Sequence, residues 1–163
     1  MRVMTIGLTA VAAVTVALPL LPAFTPRAAL ACVVGTGAGP SCTEAALNAC
    51  LPGGGSFDGT VTFNCGGAAT ITVTSRKTIS AGTSIDGGGL ATISGGNAVR
   101  VFSVSTGVNF TVQNLTIANG KFNAGAGGSA IFNNAGTVAV TNSTFSGNSA
   151  SNGGGGGHCS VQT

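Results

Sequence analysis

Past residue 31 this chain has few side chains that could do acid, base or metal chemistry: the carboxylates Glu44, Asp58 and Asp86, the cations Arg76, Lys77, Arg100 and Lys121, one histidine and five cysteines. Glycoside hydrolysis needs two carboxyl groups facing each other across the sugar. A lyase needs an acidic calcium cluster, or a base beside a stabilising cation. Ser41-Cys42-Thr43-Glu44 has the form of a capping box, so Ser41 and Glu44 are expected to cap a helix and Glu44 is spoken for. Asp58 precedes Gly59 in a turn. Asp86-Gly87-Gly88-Gly89 is a second turn, with a carboxylate expected to bond its own backbone. Arg76 and Lys77 are neighbours, so on a strand they point to opposite faces and form no joint site. Arg100 and Lys121 are isolated and expected to face solvent. His158 has no carboxylate near it in sequence. The expectation is no catalytic residue, no cofactor and no enzyme activity.

The cysteines read as structural. Cys32, Cys42, Cys50 and Cys65 are closely spaced after an apolar leader, which implies two disulfides in an oxidising compartment. A zinc site is the rival reading, but no Cys-x-x-Cys pair occurs. Spacing leaves the pairing open, except that a helix from Cys42 to Cys50 would set those two about two turns apart and out of bonding range. Cys159 is a fifth, odd cysteine. The calcium-binding Gly-Gly-x-Gly-x-Asp pattern lacks its aspartates in every glycine run, so no metal is expected.

These side chains must be carried by some scaffold, and composition limits which. The chain has 163 residues, 28 of them glycine, no Trp or Tyr, eight Phe, and 6% charged against 44% hydrophobic residues. Low charge with that apolar fraction argues for a folded protein. A polar surface made of Ser, Thr, Asn and Gly suits flat strands and tight turns better than helices. The net charge of +3 includes Arg2 and Arg27, which fall in the leader. What remains gives no basic field for nucleic acid or an anionic membrane.

Residues 1–31 read as a secretory signal: Arg2 at the positive end, an apolar run from Val3 to Leu21, then Pro22, Pro26 and a small-x-small site at Ala29-Leu30-Ala31. An uncleaved anchor and lipid attachment at Cys32 are the alternatives, since about 18 apolar residues can span a bilayer. Residues 32–58 are expected to form a disulfide-pinned cap holding a helix from Cys42 to about Leu51. Residues 59–150 read as coils, and 151–163 as an irregular glycine-rich tail, as if the chain were the start of a longer rod or a truncated reading frame.

The coils announce themselves by repetition. Val112-Gln113-Asn114-Leu115-Thr116-Ile117 returns as Val140-Thr141-Asn142-Ser143-Thr144-Phe145, at a period of 28 residues that lies in the solenoid range. Ala69-Thr70-Ile71-Thr72 likewise returns as Ala91-Thr92-Ile93-Ser94. Apolar residues alternate at Phe110 and Val112, and at Val138 and Val140, as in a strand with one buried face. The phase breaks at Asn114 and Asn142. Asparagine tolerates the left-handed conformation, so each marks a corner between strands, with amides able to bond along the stack. Asn109, Asn114 and Asn142 also fit the glycosylation pattern, but corner residues followed by strand threonines explain them better. With no crossover helix between strands, the fold expected is an all-β stack of coils of three short strands, a parallel β-helix with a short N-terminal capping α-helix. Its inward residues are Ile71, Val73, Ile93, Val101, Phe110, Val112, Leu115, Ile117, Val138, Val140 and Phe145.

With these residues in hand, the chain resembles exported bacterial surface proteins built on a right-handed parallel β-helix of the pectin-lyase-like type, including those with polymorphic outer-membrane-protein repeats, which implies a right-handed winding here too. Phe145-Ser146-Gly147-Asn148 is similar to that repeat's Phe-x-x-Asn. Gly128-Ser129-Ala130-Ile131 is similar to its Gly-Gly-Ala-Ile, with Ser129 as a departure. Cys42-Thr43-Glu44-Ala45 resembles the Cys-Ser-Leu-Arg-Glu-Ala element that begins many such proteins. The resemblance implies secretion or cell-surface exposure and an adhesive role, and it does not imply an enzyme. The partners expected are a cell-surface or extracellular polysaccharide or protein; the tail, which offers nothing to cap the last coil, separately suggests end-to-end association through its unpaired backbone groups. The alternative is the N-terminal part of a polysaccharide-binding or polysaccharide-cleaving β-helix protein.

Overall fold

The computed structural model describes residues 31–123 and 127–151; the leader through Leu30 and the tail with His158 and Cys159 lie outside them. Strand β1 (Cys32–Val34) leads through a 3-10 turn, Gly39–Ser41, to helix α1 (Glu44–Cys50). A first coil follows with β2 (Thr60–Phe63), β3 (Ala69–Thr72) and β4 (Lys77–Ile79). The second has β5 (Thr83–Asp86), β6 (Ala91–Ser94) and β7 (Phe102–Val104). The third has β8 (Asn109–Gln113), β9 (Thr116–Ala118), β10 (Lys121–Phe122) and β11 (Ile131–Asn133). The last has β12 (Thr137–Thr141), β13 (Thr144–Ser146) and β14 (Ser149–Ala150).

Every pairing is parallel, as a coil wound on itself requires. The sheets run β1-β2-β5-β8-β12, β3-β6-β9-β13 and β4-β7-β11, with a short β10-β14 pair. Together they form a β-solenoid of about four turns.

Register places like residues above one another. Val61 pairs with Ile85, Ile85 with Val112 and Val112 with Val140. In the second sheet Ile71, Ile93, Ile117 and Phe145 form a column. Val61, Ile85, Val112, Ile93 and Ile117 are fully buried, and the Phe102 and Phe110 rings meet at 5.2 Å. Of the expected inward residues only Val140 and Phe145 are half-buried, because among the described residues nothing stacks beyond β12 and β13.

The corners take left-handed backbone. Asn114 has φ 50° and Asn142 φ 46°, and Asn97 and Asn119, which the repeat pattern did not single out, have φ 57° and 51°. The amide ladder differs from the expectation. Asn114 Nδ2 donates to Asp86 Oδ1 at 3.0 Å, one coil back, and among the described residues no side-chain bond joins Asn114 to Asn142. A carboxylate accepts from an amide without needing its own donor correctly turned, which makes Asp86 the better neighbour.

The N-terminal end departs further from expectation. Strand β1 joins the first sheet beside β2, extending it where only a helix was foreseen. The pairing is Cys32–Cys50 and Cys42–Cys65, tying both ends of the cap to strand and coil. The helix starts two residues later than Cys42, and Thr43, not Ser41, caps it: Thr43 Oγ1 accepts from Ala46 N at 3.1 Å. Ser41 sits in the 3-10 turn after Pro40, and its hydroxyl is already used, accepting from Thr36 N and donating to Ala38 O. Glu44 occupies the first turn, yet its carboxylate turns away from the helix. It accepts from Thr74 N at 2.9 Å and Thr74 Oγ1 at 2.8 Å, and pairs with Lys77. Lys77 holds an inward position in the third sheet, in register with Phe102, and is 5% exposed. Glu44 therefore fastens the cap to the first coil.

Candidate anion-binding groove

One corner of the rod gathers most of the remaining charge. Arg76 precedes β4, Arg100 lies two residues before β7, and Lys121 opens β10, so three successive coils each deliver a cation to the passage between the second and third sheets. Backbone bonds fix their relative height: Lys77 N donates to Val101 O at 2.8 Å and Lys121 N to Val99 O at 2.9 Å. Neighbouring coils stack about 4.8 Å apart, as paired strands must.

Arg100 was expected in solvent, and the structure corrects that. It is 5% exposed, with its guanidinium carbon 3.7 Å from the centre of the Phe122 ring and 4.4 Å from that of Phe132. Its Nε donates to Gly128 O at 2.7 Å. Two aromatic faces and one carbonyl replace the water it lost, since a desolvated guanidinium is held well by π-clouds. One arm is left over: Nη2 is buried and has no hydrogen-bond partner among the described residues. Burial, and then the nearby Arg76, push the Arg100 guanidinium below its ordinary value. Both causes penalise the charge, and a nearby anion would offset the repulsion from Arg76.

A cavity of about 500 Å³ opens beside it, lined by Arg76, Arg100 and Lys121 with Ser75, Thr78 and Asn123. That size lies within the range of small-ligand pockets. No carboxylate lines it. The three acidic side chains are each engaged elsewhere. Glu44 holds Lys77. Asp58 Oδ1 accepts from Thr60 N at 3.0 Å and Cys32 N at 3.3 Å. Asp86 accepts from Asn114, from Gly88 N at 2.9 Å and from Gln113 at 2.8 Å, and the Asn114 amide leads these bonds in holding its carboxyl below the usual range. Among the described residues no three His, Cys, Asp or Glu come together as a metal site, and no helix is long and apolar enough to cross a membrane. The four candidate cysteines are in disulfides.

Sequence spacing hid the groove because Arg76, Arg100 and Lys121 look isolated along the chain and meet only when the coils stack. The one pointer was the aromatic pair Phe122 and Phe132 around a glycine-rich stretch, of which Gly127 and Gly128 lie against Arg100. Compared with protein-family models, curated proteins and solved structures, the chain matches none of them.

Proposed function

We propose that this chain is an exported bacterial protein whose β-solenoid is a rigid rod that presents a surface, with a structural or adhesive role and no catalytic site of its own. The fold is consistent with such a role. The observation that carries the reading is the build of the rod: flat parallel sheets wound through about four turns, fastened at their beginning by two disulfides and an ion-paired helix. Disulfides fit an oxidising location outside the cytoplasm. The resemblance to pectin-lyase-like surface proteins with polymorphic outer-membrane-protein repeats supports the same reading. Its Phe-x-x-Asn element falls on β13, where Phe145 stacks on Ile117 and Asn148 Oδ1 accepts from Gly120 N at 2.7 Å.

A second reading, as part of a polysaccharide-binding or polysaccharide-cleaving protein, is favoured by the cationic groove. Incubating the purified chain with a panel of acidic polysaccharides, with and without calcium, separates the structural reading from a cleaving one. The structural reading expects no release of oligosaccharides, and measurable cleavage would overturn it. In producing cells the protein is expected in the medium or among surface proteins removed by external protease. Recovery only from the cytoplasm would sink the exported role.

A further inference from the structure

Four lysines and arginines lie among the described residues, and all of them sit along one edge of the rod. Lys77 is neutralised by Glu44. Arg76, Arg100 and Lys121 share a cavity with hydroxyl and amide donors and meet no carboxylate there. A protein gains nothing in stability from three like charges converging on one partly desolvated groove, so a ligand of opposite sign is the natural counterpart.

We infer that this groove binds an extended acidic glycan, laid along the rod axis so that its carboxylate or sulfate groups meet Arg76 and Lys121 over the fixed charge of Arg100 on the coil between them. The inference rests on the reading of the rod as a presenting surface and names what that surface holds. A glycan suits the groove better than a nucleic acid does. Phe122 and Phe132 each hold the Arg100 guanidinium on a face, so they are committed to that cation and are not set out along the groove as a run of stacking platforms. Three cations are also too few for the long phosphate track that such binding uses. Ser75, Thr78 and Asn123 supply the neutral donors and acceptors that sugar hydroxyls need, and Ala98 and Val99 supply an apolar floor. Arg100, stacked between Phe122 and Phe132 with Nε on the Gly128 carbonyl, adds a fixed positive charge under the groove, and Arg76 and Lys121 are left to make the direct contacts.

The test is a titration of the purified chain with dextran sulfate, alginate, neutral dextran and a single-stranded DNA oligonucleotide, followed by calorimetry at low and moderate salt. Binding of dextran sulfate or alginate, with none of neutral dextran, is the expected result, and the arm that binds more tightly identifies sulfate or carboxylate as the recognised group. Arg76 is exposed and Lys121 half-buried, so the double variant R76Q/K121Q should keep the melting temperature of the parent and lose about tenfold or more in affinity. The variant R76K should recover part of the binding that R76Q loses. Failure to bind either acidic glycan, equal binding by R76Q/K121Q, or DNA bound as tightly as the glycans would overturn the proposal. Location is measured on cells and glycan binding on purified protein, so either result can fail while the other stands.

Discussion

Glu44 and Lys77 carry the most consequential polar contact in the rod. Burial alone would raise the Glu44 carboxyl; hydrogen bonds from Lys77 and Thr74 and the Lys77 charge outweigh it and bring the carboxyl from 4.5 down to about 2. A folded value below the unfolded one means stability present above pH 4.5 and lost as pH falls through that window toward 2. Replacing one partner strands the other. Lys77 is 5% exposed, so E44Q leaves a buried ammonium short of its anion and should cost about 2 to 3 kcal/mol at neutral pH. Thermal unfolding from pH 6 down to about pH 2.5 is expected to show a steep fall in the parent and a shallower one in E44Q. Parallel curves would remove Glu44 from the role assigned to it. Asp86, also held low, gives the residual slope in the variant.

The strands hold together by columns, and the columns are unequal along the rod. Val112 is fully buried between Ile85 and Val140, whereas Val140 is half-buried at the last coil. V112D should therefore abolish cooperative folding, because an aspartate there would have no partner among aliphatic neighbours. V140D should leave a folded protein of reduced stability. Circular dichroism and urea unfolding check both, and a V112D protein that melts like the parent would refute the column. The last step of each column was legible in the sequence because one interval aligns Val112 with Val140, Asn114 with Asn142 and Ile117 with Phe145; Val61 and Ile85 were not among the expected inward residues, because the earlier coils are shorter and break that interval. The Asn97 and Asn119 corners were less legible. Coil length varies there, and the left-handed turn is shared with neighbouring glycines such as Gly96, at φ 61°.

At the scale of the whole molecule, the two ends differ. The beginning is clasped by disulfides spanning 18 and 23 residues, with α1 and β1 laid over the first coil. Each crosslink of that span restricts the unfolded chain by about 3 kcal/mol, so the double variants C32S/C50S and C42S/C65S should each lose about that much. Denaturant titration with and without reductant measures it, and an unchanged midpoint for either pair would show that the clasp adds nothing. Gly35 explains part of the tightness. Its φ is 92°, and a β-carbon there would collide with the Cys42 sulfur and the Asn64 carbonyl. At the far end β12, β13 and β14 expose half-buried apolar residues, and no further coil stacks on them among the described residues.

Local pattern alone determined that this chain winds into parallel coils: alternating aliphatics name the buried face, asparagines mark where the strands turn, and repetition sets the interval. Those features act between near neighbours, or at the interval shared by the last two coils, so a linear reading captures them. Contacts between unlike segments were decided only in three dimensions. Ser41 and Thr43 compete for one helix start, and which hydroxyl is free depends on the turn at Pro40. Glu44 looked like a capping residue until Lys77, 33 positions on, arrived beneath it. Arg100 looked solvated until Phe122 and Phe132 closed over it. In each case burial and the approach of a distant partner set the role, and neither can be read from the residue's own surroundings in the chain.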